Sequence, residues 1–213
     1  MTFAERFSLP EGKKRLLTRC LQLVLASIMI AGLATFRLGM AANGAFGLGL
    51  TLLPALLRRE YDYTMDPGLT LWITVAIFLH SVGSLGPYGW FSWYDSVTHT
   101  ISATVIAGVG YAGFRAFERH SDSLDVGPNF RAVFIVVFVL AASVVWELLE
   151  FASGGIASML NADAPLTVYG IDDIVSDMIS NTLGAFVVAI WGSSYFGGLA
   201  DFLRHRLGTR EDN

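Results

Sequence analysis

The sequence predicts an all-α protein: a polytopic bundle of six transmembrane helices, both termini on the cytoplasmic side, forming one membrane domain over residues 1–213. Three observations carry this. Of 213 residues 54% are hydrophobic and only 15% charged, and the mean hydropathy is +0.55, a balance foreign to soluble domains. Apolar runs near the ~20 residues needed to span a bilayer recur along the chain. The basic residues alternate in location with these runs as the positive-inside rule requires.

The first span, 17–36, follows the basic stretch "KKRLLTR". A basic region before an apolar one resembles a signal peptide, but no small-residue cleavage site follows, so an uncleaved first helix is expected. The second, 41–57, is shorter and carries Gly44, Gly47 and Gly49, small residues that let membrane helices approach. The third, 69–88, contains His80 and leads into "GPYGWFSWY" (86–94), an outward loop with Trp and Tyr suited to the membrane boundary. The fourth, 93–114, holds Asp95 and His99 near its start and Gly108, Gly110 and Gly113 beyond. The fifth, 132–155, contains Glu147 and Glu150, and the outward loop "NADAPLTVYG" (161–170) precedes the sixth, 174–196, entered through Asp173, Asp177 and Asn181. Thirteen of the fourteen Lys and Arg residues then fall on one side, Arg37 being the exception. The expected location is the plasma or inner membrane, multi-pass, with lipids as neighbours and no nucleic-acid partner. Cys20 is the lone cysteine and forms no internal disulfide.

Ionisable residues inside such spans cost roughly 2.5–3.5 kcal/mol each near a helix centre, so their placement carries information. At 1.5 Å per residue, His80 lies about 18 Å above the cytoplasmic start of its helix, Glu147 and His99 about 22 Å, and Asp177 about 25 Å. Two of these helices run up and two run down, yet the residues meet in the outer half of the bilayer. Asp95 and His99 are four apart, as are Asp173, Asp177 and Asn181, and Glu147 and Glu150 are three apart, so each set shares a helix face. Asp172 falls roughly 140° from Asp177 and points elsewhere. His120 and His205 read as surface histidines.

Asp95, Glu147, Glu150, Asp173 and Asp177 total −5 with no Lys or Arg in the spans at that level. Protons or a cation must neutralise them. Three readings meet this: a structural hydrogen-bond network, a proton or ion pathway, and a divalent-metal site. Neutral imidazoles with several carboxylates are a good ligand set for zinc or manganese. The expected ligands are His80, Asp95, His99, Glu147 and Asp177, with Glu150 or Asp173 as catalytic base and Asn181 orienting a ligand from behind.

The motifs "YDSVTH" (94–99), "WELLE" (146–150) and "DDIVSDMISNTLG" (172–184) resemble the YjdF-like inner-membrane proteins of unknown function and, more loosely, the VanZ-like family. There D-x-x-x-H is followed by E-x-x-Q and then D-x-x-x-N-x-x-G. Asp95, His99, Glu147, Asp177, Asn181 and Gly184 match that order, Glu150 stands where VanZ-like proteins show glutamine, and their arginine before the last motif has no counterpart here. The resemblance spans about 70–190 and implies a polar site on these residues. The expected function is a metal-dependent membrane enzyme, a hydrolase acting on a lipid or lipid-linked substrate. The alternatives are an ion- or proton-coupled transporter, and a non-catalytic subunit whose polar site is structural.

Overall fold

The computed structural model describes residues 9–121, 126–161, 164–166, 170–191 and 196–208, and these residues form helices without any strand. In order they are α1 (Glu11–Ala34), α2 (Leu38–Thr51), α3 (Leu53–Tyr61), α4 (Pro67–Gly83), α5 (Pro87–Trp90), α6 (Tyr94–His120), α7 (Pro128–Leu160), α8 (Ile171–Trp191) and α9 (Gly197–Gly208). Three are long and apolar enough to cross a membrane, α1, α7 and α8, and a fourth crossing follows if the bent pair α2 and α3 counts as one span. α4 is apolar but only 17 residues long. α6 has 27 residues, but the hydroxyls, His99 and Asp95 of its first half lower its apolarity. Arg6, Arg210, parts of the 161–170 loop and residues 192–195 of the sixth expected span lie outside the described residues.

Surfaces follow the membrane pattern. Leu148, Leu149 and Phe151 of α7 and Ile179, Leu183 and Ile190 of α8 are exposed, whereas the faces turned inward carry small and polar residues. On α7 the buried positions are Ile135, Val139, Ser143, Glu147, Glu150 and Ala157, one stripe at spacings of four, three and seven. Apolar outside and small or polar inside is the arrangement that lipid, unlike water, permits.

The chain divides into two compact units between Ser81 and Val82. In the first, α1 and α2 form a tight helical hairpin. A Cβ on Gly32 would sit 2.8 Å from Ala41 Cα, and one on Gly44 would sit 2.5 Å from Met29 N, so backbone meets backbone at both ends of the contact. Gln22 Nε2 donates to Thr51 O at 3.1 Å, and the buried Asn43 Nδ2 donates to Ser81 O at 3.2 Å, tying α2 to α4. The expected single span at 41–57 is broken at Leu52, where the axis turns by 41°. Pro54 in the first turn of α3 supplies the reason, because it lacks the N–H that a continuous helix would use there.

In the second unit α6, α7 and α8 pack on one another, with α9 against α6. The α6–α8 contact is the closest: a Cβ on Gly184 would press on Thr100 O and sit 2.7 Å from Ala103 Cβ and 3.2 Å from Thr104 N. Ala103, Ala107 and Ala185 are fully buried along this seam. Gly110 makes room for the Phe138 ring of α7, and Gly108 for Phe196 just before α9. At the far end of α6, Glu118 receives Arg115 at 2.6 Å and Arg131 at 2.7 Å, and Arg119 pairs with Asp201 of α9. The third expected span, to residue 88, stops at Gly83 instead. Gly86 takes φ 150°, open in practice to glycine, and Pro87 starts the short α5.

Candidate metal centre

The close seam between α6 and α8 sets the site. Asp95 and His99 are one turn apart on α6, and Asp173, Asp177 and Asn181 follow one face of α8. With the two backbones in contact at Gly184, these faces meet. His99 Nε2 lies 3.5 Å from Asp95 Oδ1 and 3.5 Å from Asp177 Oδ2. One ligand atom from each of the three residues falls within 4.8 Å of the others. His99 is 5% exposed and Asp177 1%. Asp173 and Asp177 both lie within hydrogen-bonding reach of Asp95. Asp172 is exposed.

α7 adds a second pair of carboxylates. Glu147 and Glu150 are each 8% exposed. Glu147 lies in the field of Asp95 and Asp173, and Glu150 in the field of Glu147, Asp173 and Asp95. Their surroundings differ. Trp146 Nε1 donates to Glu150 Oε1 at 2.9 Å, whereas both oxygens of Glu147 are buried without a hydrogen-bond partner among the described residues. Asp177 Oδ1 shares that condition. A buried carboxylate oxygen left unmatched is costly, and Asp177 and Glu147 lie within electrostatic range of each other.

Asn181, 7% exposed, stands behind the histidine. Its Nδ2 donates to Ser143 Oγ of α7 at 2.5 Å, and it also lies within hydrogen-bonding reach of His99. One amide thus links all three helices. Thr100 Oγ1 reaches Ser180 O at 3.2 Å across the seam, and Ser96 and Ser176 hydroxyls approach to 3.4 Å.

Of the residues expected from sequence, Asp95, His99 and Asp177 come together as a ligand group, Glu147, Glu150 and Asp173 surround it within electrostatic range, and Asn181 backs it. His80 is half-buried on α4 in the other unit and is not one of that group. Two neighbours were not expected. Ser143 lies one turn before Glu147 on the buried stripe, a spacing that could have identified it. Tyr88 of α5 lies in the field of Asp95, Glu150 and Asp177, packs edge-on against Tyr94 at 5.7 Å, and fills the space a side chain at Gly83 would take.

A family model described as "Predicted membrane protein (DUF2238)" matches residues 16–198, most of the chain and every residue of the cluster. No curated protein and no solved structure matches it.

Proposed function

The chain belongs to this DUF2238 family of predicted membrane proteins, and we propose that it is a membrane metalloenzyme whose divalent cation is held by Asp95, His99 and Asp177, with Glu147 as the fourth ligand. The observation that carries the reading is the triangle around His99 Nε2. Ligands about 2.1 Å from a tetrahedral ion stand about 3.4 Å apart, and both carboxylate oxygens lie 3.5 Å from Nε2. An imidazole lone pair facing two carboxylates is repulsive without a cation or proton among them. The amide oxygen of Asn181 is the natural acceptor for the other ring N–H, since its nitrogen is engaged on Ser143. That bond fixes the tautomer that turns Nε2 toward the site.

When bound, such an ion makes a water acidic enough to attack an ester near neutral pH. Glu150, oriented by Trp146, is the base placed to take that proton, and Asp173 stands at the helix entrance. The substrate class is a lipid or lipid-linked ester, because the surrounding faces are apolar. In this reading all six apolar segments cross the bilayer, α4 and α6 included, with both termini cytoplasmic and the site in the outer half. The order Asp95, His99, Glu147, Asp177, Asn181, Gly184 supports kinship with the VanZ-like pattern.

A second reading has one observation of its own. The hydrogen-bonding reach between Asp95 and both Asp173 and Asp177 equally suits shared protons, which would make the cluster a structural staple in a non-catalytic subunit. Reconstitution into vesicles of total polar lipid extract, with products followed by mass spectrometry, tests the enzyme. The expected result is a lipid product that disappears with chelator and in Glu150→Gln, while that variant keeps its metal. An unchanged lipid profile in the wild type would remove the enzymatic reading.

A further inference from the structure

The first unit holds a half-open cavity of about 220 Å³, lined by α1, the end of α2, α3 and the segment leading into and starting α4. Arg15, Arg19 and Arg58 line it. Basic residues are common at the cytoplasmic membrane boundary, so their presence alone says little. Their convergence says more. Arg15 and Arg19 are one helical turn apart on α1, and Arg58 comes from α3 beyond the 41° bend, so charges from separate helices face one space.

Two nearby acids are committed elsewhere. Glu60 pairs with Arg59 at 3.1 Å, and Asp66 caps α4 through the N–H groups of Gly68 and Leu69 at 2.8 and 3.1 Å. Glu11 reaches Arg15 at 3.5 Å on an exposed surface. Arg19 and Arg58 have no ion-pair partner among the described residues. Of the lining threonines, Thr18, Thr51 and Thr70 each give their hydroxyl hydrogen to a preceding carbonyl, and Thr64 completes the polar lining. The cavity therefore offers guanidinium donors, and its volume falls below the ~300–1,000 Å³ of sites for drug-sized ligands. Beside it Leu52, Leu53 and Leu56 are exposed, an apolar wall where acyl chains would lie.

We propose that this cavity binds a phosphate ester, supplied by the headgroup of an anionic phospholipid, with Arg19 and Arg58 as its principal contacts. Guanidinium groups match phosphate oxygens in geometry as well as charge. The proposal is independent of the metal reading.

Full-length protein, stripped of lipid in a maltoside detergent, is titrated with dioleoyl phosphatidylglycerol, with dioleoylglycerol (the same tails without phosphate), and with inorganic phosphate. Native mass spectrometry and melting temperature report binding. Phosphatidylglycerol should bind and stabilise, and dioleoylglycerol should not. Arg19→Gln/Arg58→Gln should weaken binding by about tenfold or more, while Lys13→Gln/Lys14→Gln, an equal charge loss outside the cavity, should change it by less than about twofold. Competition by inorganic phosphate supports direct reading of the phosphate, and binding of phosphate without the lipid would assign a soluble ester as the source. Binding of neither, or equal loss in the lysine variant, overturns the proposal. Circular dichroism of each variant separates lost binding from lost folding.

Discussion

Replacing Gly184 by alanine perturbs the contact from which the whole site is assembled. The new methyl carbon would stand 2.7 Å from Ala103 Cβ and 3.2 Å from Thr104 N, and closer still to Thr100 O. Carbon atoms pack comfortably at about 3.5–4.0 Å, and neither the carbonyl nor the amide of a helix can swing aside. The seam must open by about 1 Å. That stretches the 3.2 Å bond from Thr100 to Ser180 O beyond hydrogen-bonding length and moves Asp177 from 3.5 Å to about 4.5 Å from His99, wider than the roughly 3.4 Å spacing of ligands on a tetrahedral ion. Overpacking of this kind costs about 1–3 kcal/mol. Gly155→Ala on α7 is the matched control, since a Cβ there meets nothing within 4 Å and gains the same helix propensity. Relative to that control, Gly184→Ala should melt about 2–12 °C lower in detergent and carry less metal. A Gly184→Ala protein that melts with the control and retains its metal would refute the claim that this helix approach builds the site.

Glu118 lies beyond the apolar part of α6. Burial pushes its carboxyl up, but the hydrogen bonds and charges of Arg131 and Arg115 outweigh that and hold it below its ordinary 4.5. The unfolded chain then takes up its proton first as pH falls. The stabilisation is full above about pH 4.5 and fades as pH drops through the lower folded value, and Glu118→Gln should flatten that dependence while costing about 1–3 kcal/mol at neutral pH, read from melting curves between acid and neutral pH. Ser143→Ala removes the acceptor of Asn181 Nδ2 and should destabilise by about 1–3 kcal/mol, with metal affinity falling about 10–100-fold as the support of His99 loosens. Trp146→Phe deletes the donor to Glu150 Oε1; it should spare metal content and reduce turnover in the vesicle assay.

The parts legible in sequence were those written in single-helix periodicity. Asp95 with His99, Asp173 with Asp177 and Asn181, and Glu147 with Glu150 announced their shared faces, and Asp172 its divergence. Helix existence was legible for the same reason, because long apolar runs leave few alternatives. Features that depend on three dimensions were not. The break at Leu52 needed the conflict between Pro54 and a continuing helix. Tyr88 read as a boundary aromatic, and only the turn at Gly86 brings it into the field of the cluster. Ser143 shares the Glu147 face at a spacing of four, but hydroxyls are ordinary in membrane helices, and its bond to Asn181 needs α7 and α8 packed together. Arg115 and Arg131 carry an orientation signal in the sequence, and their grip on Glu118 needs α6 and α7 packed together.

In the proposed function the carboxylates around His99 are neutralised by a metal ion. Elemental analysis of protein purified without chelator, paired with melting before and after a strong chelator, tests it most directly. A metal centre requires about one divalent ion per chain in the wild type, a clear drop in melting temperature when it is stripped, and loss of the ion in His99→Ala and Asp177→Asn. Wild-type protein that carries no stoichiometric metal and melts identically with chelator would contradict it and leave a proton-sharing structural network in its place.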